Sequence, residues 1–96
     1  MIEIQETREY ARWFAGLRDR AARASIDRRI ARLAEGNPGD ARPVGEGVSE
    51  MRIDRGPGYR VYYIQRGAMV VVLLAGGDKS TQERDIRRAL ELARDL

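Results

Sequence analysis

The stretch from Val48 to Lys79 constrains the fold more than any other part of the chain. It reads VSEMRI, DRGPG, YRVYYIQ, RGA, MVVVLLA and GGDK, so that β-branched and aromatic runs alternate with turn-forming residues. This pattern predicts three consecutive strands, an antiparallel meander. Because side chains alternate across a strand, the first two strands predict an apolar face and a cationic face. The cationic face would carry Arg52, Arg60 and Tyr62, with Arg55 in the turn between the strands.

The third strand of the meander, MVVVLLA, has no polar alternation. We therefore expect it to lie in the centre of the sheet with both sides covered. The following Gly76-Gly77-Asp78-Lys79 ends the strand, and its glycines permit either close approach of other atoms or a positive φ.

Helical periodicity is present on both sides of the meander. Apolar residues at i, i+3, i+4 and i+7 follow a Thr7 N-cap and predict a helix over roughly residues 7–18, with its aromatic side chains in the core. A second helix is predicted from Arg20 to Glu35, and the two should form a hairpin that packs on the sheet. Ser80 and Glu83 fit the capping box of a final helix.

The remaining segments complete the predicted topology. Alternating Ile2 and Ile4 indicate a short N-terminal strand, whereas the Gly- and Pro-rich segment 36–47 is interpreted as an irregular crossover onto the sheet. The order is β-α-α-β-β-β-α, an α+β fold with a helical hairpin packed on an antiparallel meander sheet. We expect one domain over residues 1–96, since nothing in the chain reads as a linker or repeat.

Composition restricts the chemistry. The chain has no cysteine and no histidine, which removes disulfides, thiolate metal sites, the usual zinc sites and His-based acid–base catalysis. No metal-ligand spacing motif is present, so neither a metal nor another cofactor is expected. No apolar run approaches the roughly 20 residues of a membrane span, and the N-terminus lacks the pattern of a signal peptide. These features favour a cytoplasmic protein without membrane association.

Arginine supplies all of the eighteen cationic side chains except Lys79. On adjacent strands, Arg52, Arg60 and Lys79 would form an anion site, because guanidinium groups bind phosphate in bidentate geometry and lysine adds a compact charge. The competing interpretation is that these cations form ordinary surface ion pairs with Glu50, Asp54 and Asp78. Alternation alone does not decide between the two.

The second predicted helix raises a similar question. Its arginines are either a solvated helix face or a nucleic-acid surface; they are Arg23, Arg28, Arg29 and Arg32.

Three segments, PVGEGVSE, GPGYRVYY and GGDKSTQ, occur in the order and at the spacing of the HigB-like addiction-module killer proteins. The chain therefore resembles the RelE/ParE superfamily of type II toxins, and the resemblance extends over both leading helices, the meander and the closing helix. It implies a RelE-like fold and a ribosome-dependent, metal-independent mRNA endoribonuclease that inhibits translation. In that reaction the 2′-hydroxyl of the RNA attacks the adjacent phosphate, which gives a 2′,3′-cyclic phosphate and a free 5′-hydroxyl.

The resemblance also implies partners. These are a cognate antitoxin, typically a helix-turn-helix protein encoded beside the toxin, together with the ribosome and mRNA; operator DNA would be bound only through the antitoxin. The same fold hosts ParE-like toxins that poison DNA gyrase without cutting RNA. That activity, and an inactive homologue that only binds its antitoxin, are the alternatives.

Site residues follow from the same resemblance. Arg52 and Arg60 would hold the scissile phosphate and its developing charge, and Lys79 would stabilise that charge or assist proton transfer. Some relatives have lysines where this chain has Val48 and Glu50, and a tyrosine or histidine where it has Gln82 and Asp85. The general base is therefore open among Asp78, Asp85 and Lys79. Predicted RNA contacts are Arg55, Tyr62 and Gln82.

Overall fold

The computed structural model has nine elements, which are β1 Glu3–Glu6, α1 Arg8–Ala15, α2 Arg20–Ala34, β2 Ala41–Gly45, β3 Val48–Ile53, β4 Tyr59–Arg66, β5 Val70–Gly77, a short 3₁₀ helix Lys79–Thr81 and α3 Gln82–Arg94. The strands form one mixed sheet in the order β1-β5-β4-β3-β2. β1 runs parallel to β5, and all other neighbours are antiparallel. The predicted α+β class and the meander β3-β4-β5 are confirmed, and the architecture is compatible with a RelE-like fold. None of the helices combines the length and apolar character needed to cross a membrane.

The prediction of an irregular crossover over residues 36–47 is wrong in its second half. Residues Ala41–Gly45 form β2, which pairs with β3 in antiparallel register and shifts register between Pro43 and Gly45. Proline and glycine disfavour a central strand, which is why the sequence ARPVG masks this element. At the edge of a sheet, where β2 lies, a missing N–H and a bulge are tolerated.

Helices cover both faces of the sheet. On one face, α1 and α2 pack over alternate residues of β3, β4 and β5, in a core that includes Met51, Val61 and Leu73. On the other face, α3 packs over the intervening residues, among them Tyr62 and Leu74. The central position of β5 is confirmed. The expectation of an open cationic face is wrong for most of the sheet, because α3 occupies that face and leaves only its end exposed.

Gly76 and Gly77 bring two helices onto the end of β5. A Cβ on Gly76 would overlap the Trp13 ring of α1, and a Cβ on Gly77 would overlap the Asp85 carboxylate of α3. Consecutive strand residues point to opposite faces, so each glycine admits the helix on its own side. The predicted close approach is confirmed, and the approaching groups are these two helices.

The helix starts agree with the sequence at α1 and differ at α3. Thr7 caps α1 as predicted, its hydroxyl oxygen accepting a hydrogen bond from the Tyr10 N–H. The capping box predicted at Ser80 and Glu83 is wrong, since the box is formed two residues earlier by Asp78 and Thr81 around the 3₁₀ turn. Both pairs have capping-box spacing, and the earlier one also leaves Thr81 placed to donate to Asp85 in the first turn of α3.

Candidate anion-binding site at the end of the meander

An open groove of about 350 Å³ lies where β3 ends, β4 begins and β5 leads into the 3₁₀ helix; it is lined by Asp40, Arg52, Ile53, Asp54, Gly58, Tyr59, Arg60 and Lys79. We call it the meander groove. Strand register explains how its cations meet, because Arg52 is directly opposite Arg60 and Arg60 is directly opposite Gly77. Lys79 follows Gly77 by two residues. The structure therefore brings Arg52, Arg60 and Lys79 together, as the sequence predicted.

Arg60 is the buried cation of the meander groove, with only 10% of its side chain exposed. Its Nη1 donates a hydrogen bond of 2.8 Å to the carbonyl oxygen of Gly58, the residue before β4. Its Nε lies 3.7 Å from Oε2 of Glu50 and has no hydrogen-bond partner. A guanidinium has five N–H donors in a planar fork, so Arg60 is fixed in place while retaining donors for an anion.

Glu50 is a fully buried carboxylate behind Arg60. It accepts hydrogen bonds from Arg42 Nε at 2.9 Å, Gln82 Nε2 at 2.9 Å and the Tyr62 hydroxyl at 3.1 Å. Burial by itself raises the pKa of Glu50, but the three hydrogen bonds and the Arg42 charge outweigh it and hold the pKa below its ordinary value. Glu50 is therefore ionised at neutral pH and supplies the counter-charge for Arg60.

This cluster around Glu50 was not foreseen as a buried network. Its side chains come from β2, β3, β4 and α3, so it ties the rim of the meander groove to four elements. A signal was present in the sequence: Glu50 lies in mid-strand on the same side as Val48, where an unpaired charge would face a packed helix. Mid-strand carboxylates of this kind indicate a buried partner.

Tyr62 and Gln82 occupy this cluster and do not project into the meander groove. Tyr62 is fully buried. Burial, followed by the negative charge of Glu50, raises the pKa of its hydroxyl, so Tyr62 stays protonated and donates to that carboxylate. Tyr62 has no exposed ring face on which an RNA base could stack, because α3 covers this part of the sheet. Gln82 is half-buried, and its amide also donates to Glu50.

Asp78 and Asp85, two of the candidate bases, are also outside the meander groove. Asp78 accepts hydrogen bonds from the backbone and hydroxyl of Ser80, which hold its pKa below the ordinary value. It is a weak base committed to capping. Asp85 is buried against Gly77 and accepts a hydrogen bond from the Thr81 hydroxyl.

The competing ion-pair interpretation holds for only part of the site. Arg60 faces Glu50, but the carboxylate paired with Arg52 is Asp40, at 3.1 Å between two half-exposed side chains. Lys79 has no carboxylate within ion-pair distance, and neither Asp54 nor Asp78 pairs with any of the three cations. The meander groove thus combines N–H donors that can bind an anion with the carboxylates Asp40 and Asp54.

Two groove residues had no functional role in the sequence interpretation. Tyr59 is half-buried and packs edge-on against Trp13, with ring centroids 6.4 Å apart. Asp54 is exposed, and no side-chain hydrogen bond or ion pair holds it.

Arg55, a predicted RNA contact, is exposed in the β3–β4 turn and lines an adjoining groove beside α2 together with Asp54. No three carboxylates cluster closely enough to form a metal-ligand set.

The α+β fold and the cationic groove are compatible with the RelE-like class of toxins. Residues 12–96 match the family of phage-derived Gp49-like proteins (DUF891), which is in general a toxin family of the RelE/HigB type. An uncharacterised protein of Haemophilus influenzae is 46% identical over 95 residues, which cover 99% of this chain and 96% of that relative. The chain belongs to the Gp49-like family. Membership of a toxin–antitoxin toxin family implies an antitoxin partner, whereas the narrower HigB-like assignment stays a prediction.

Proposed function

We propose that this protein is the toxin of a type II toxin–antitoxin pair and that it cleaves mRNA on the ribosome, with the scissile phosphate bound in the meander groove. The observation that carries the proposal is the placement of Arg60. Its side chain is mostly buried and is held by Gly58 and Glu50. It lies beside Arg52 and Lys79 in the groove where the ends of β3, β4 and β5 meet. A guanidinium fixed before the substrate arrives needs no reorganisation as charge develops on a phosphate.

The reaction is an internal transesterification of the RNA. The 2′-oxygen forms a bond to phosphorus, the bond from phosphorus to the 5′-oxygen breaks, and the products are a 2′,3′-cyclic phosphate and a 5′-hydroxyl. Arg60 and Arg52 hold the non-bridging oxygens, whose negative charge grows in the transition state. Lys79 is exposed and unpaired, so its ammonium can reach the leaving 5′-oxygen and protonate it.

We assign to Asp54 the role of general base, which accepts the proton of the 2′-hydroxyl. This carboxylate lines the meander groove without an ion-pair partner, whereas Asp40 is paired with Arg52 and Asp78 is held by Ser80. A base must be free to accept a proton and within reach of the substrate. Asp54 meets both conditions, and it replaces Asp78 in this role.

Base contact is assigned to Tyr59 in place of Tyr62. Tyr59 lines the meander groove, and its ring is oriented by Trp13, so a nucleobase next to the scissile phosphate can stack on it. The groove is open and does not enclose an RNA chain. Productive geometry therefore requires that the RNA be held by another body, which supports the ribosome as the cytoplasmic site of action.

The antitoxin is expected to close the meander groove or the approach to it. Its acidic or groove-filling segment would neutralise the exposed cations at the rim, Arg52 and Lys79. We propose that this antitoxin is a helix-turn-helix protein encoded beside the toxin and that operator DNA is bound through it alone.

The proposal is tested by inducing the protein in bacteria and mapping translated messages by primer extension. The wild type should arrest growth and produce codon-associated cuts. Arg60→Lys keeps a positive charge beside Glu50 but loses the fork, and should reduce cleavage by about 10²–10³-fold. Lys79→Gln changes an exposed side chain and should reduce cleavage without altering thermal unfolding.

A matched control is Arg8→Gln, which removes one charge from an exposed arginine that does not line the groove. It should cleave like the wild type. Intact transcripts together with gyrase-trapped DNA breaks would replace the RNase assignment by a ParE-like one. Intact transcripts without growth arrest, in a correctly folded protein, would indicate an inactive antitoxin-binding homologue.

A further inference from the structure

The meander groove is the middle part of a longer cationic surface. On one side it shares Ile53 and Asp54 with a groove beside α2 that contains Arg28, Arg32 and Arg55. On the other side it shares Lys79 with a groove at the start of α3 that contains Arg84 and Arg87. We call the continuous surface formed by the three grooves the cationic band.

Most arginines in the two outer grooves are free of carboxylates. Arg28, Arg32 and Arg55 beside α2, and Arg87 on α3, have no carboxylate oxygen within 4.0 Å. The arginines that join elements of the fold behave differently: Arg42, Arg88 and Arg94 are each ion-paired, with Glu50, Glu9 and Glu46 respectively. Those three lie outside the cationic band. The charges of Arg28, Arg32, Arg55 and Arg87 are thus not used in ion pairs within the fold and are available to a ligand.

The α2 side of the band is held firmly against the meander. Arg29 donates hydrogen bonds to the carbonyl oxygens of Arg52, Pro38 and Asp40, which connects the middle of α2 to the end of β3 and the approach to β2. Arg28 lies one residue before Arg29, and Arg32 lies one turn beyond Arg28 on the same helix. The positions of both relative to the meander groove are therefore set by the fold.

The lining of the outer grooves identifies the kind of ligand. The groove beside α2 contains one apolar residue, Ile53, and the groove at α3 contains none. A peptide partner anchors through apolar or aromatic side chains in pockets, which these grooves do not provide. Guanidinium groups suit phosphates, and no aromatic ring except Tyr59, at the centre, is placed to read a base.

We propose that the cationic band binds the phosphate backbone of a single RNA strand on both sides of the scissile phosphate. Arg28, Arg32 and Arg55 contact phosphates on one side, and Arg87 contacts them on the other. Recognition by the band is independent of base sequence, and base contact is confined to Tyr59. The inference rests on the proposed function in one respect, namely that the strand crossing the meander groove is RNA.

The test measures binding of the full-length protein to a 2′-O-methyl oligoribonucleotide, which cannot be cleaved, by fluorescence anisotropy. For single strands, log K falls with log salt concentration with a slope of about −0.7 per phosphate contact between about 50 and 200 mM salt. Arg28→Gln with Arg32→Gln should therefore make the slope shallower by about 1.4 and weaken binding equally for probes of different sequence.

The matched control is Arg8→Gln with Arg20→Gln, which removes the same charge from exposed, unpaired arginines outside the band. Its slope should equal that of the wild type. Equal slope changes in both double variants would show a general charge effect and overturn the band. An unchanged slope in the α2 variant, with loss of neutralisation by the antitoxin, would make this surface a protein interface and also overturn it.

The failure of the band and the failure of the proposed function give different results. If the wild type binds RNA and Arg60→Lys weakens that binding while the α2 variant does not, the band is refuted and the meander groove stands. If the wild type binds no RNA at low salt, the band is refuted, whereas the proposed function is contradicted only if translated messages also stay intact in the primer-extension assay.

Discussion

Replacing Glu50 by Gln tests whether the buried carboxylate holds the site and the fold together. Glu50 is fully buried, accepts three hydrogen bonds and faces Arg60 at 3.7 Å. A Gln side chain has one acceptor oxygen, so at least one donor among Arg42, Tyr62 and Gln82 loses its partner. The substitution also leaves Arg60 buried without a counter-charge.

The cost follows from the burial of that pair. Removing one partner of a buried ion pair destabilises a protein by about 3–5 kcal/mol, and the slight exposure of Arg60 places the expected loss near the lower value, about 3 kcal/mol. In a chain of this size each kcal/mol lowers Tm by roughly 4–8 °C, so Tm should fall by at least about 12 °C. Urea and thermal unfolding followed by circular dichroism measure both quantities.

A pH series gives the same substitution a second readout. The folded-state pKa of Glu50 lies below its ordinary value of 4.5, so its contribution to stability is present above that pH and is lost as the pH falls through the folded-state pKa. The stability difference between wild type and Glu50→Gln should therefore shrink in acid. Glu46→Gln is the matched control, since it makes the same change in an exposed pair with Arg94 and should leave Tm nearly unchanged.

Equal unfolding midpoints for wild type and Glu50→Gln at neutral pH would refute the reasoning. A stability difference that stays constant from neutral to acid pH would refute the electrostatic part of it, because packing alone does not titrate.

Three further predictions concern neighbouring residues. Gly77→Ala should lower the free energy of unfolding by about 1–3 kcal/mol, measured by urea titration, because the added Cβ overlaps the α3 carboxylate that packs there. Tyr62→Phe should cost about 1 kcal/mol in stability and leave cleavage in place, whereas Tyr59→Ala should weaken RNA binding by about 1–3 kcal/mol in the anisotropy assay. Asp54→Asn should slow cleavage by about 10²–10⁴-fold at unchanged Tm, whereas Asp78→Asn should lower Tm and retain cleavage; the reverse result would return the base to Asp78.

The spacing of apolar residues along the chain correctly predicted the elements that depend on short-range sequence alone. The meander, the central β5 and the first two helices follow from period-two and helical repeats of apolar residues, which report one face at a time. β2 was missed because Pro43 and Gly45 are unfavourable in an isolated strand and are tolerated only through its edge position. Edge position is a property of the whole sheet.

The candidate site divides in the same way. The convergence of Arg52, Arg60 and Lys79 could be predicted because strand register and a short turn place them together. The face of the sheet on which Tyr62 lies was predicted correctly. The burial of Tyr62 depends on α3, which begins twenty residues later in the chain. The Glu50 network likewise joins residues separated by up to 32 positions, from β3 to α3, and such partners have no local signature.

Ribosome-dependent cleavage at the meander groove is tested by incubating a defined mRNA with the purified protein on reconstituted, translating ribosomes and identifying the new RNA ends chemically. We expect cuts that require translation and leave a 2′,3′-cyclic phosphate and a 5′-hydroxyl, and we expect cleavage to fall by about 10²–10³-fold in a folded Arg60→Lys variant. A message that remains intact with wild-type protein, or that Arg60→Lys cuts at the wild-type rate, would contradict the proposed function.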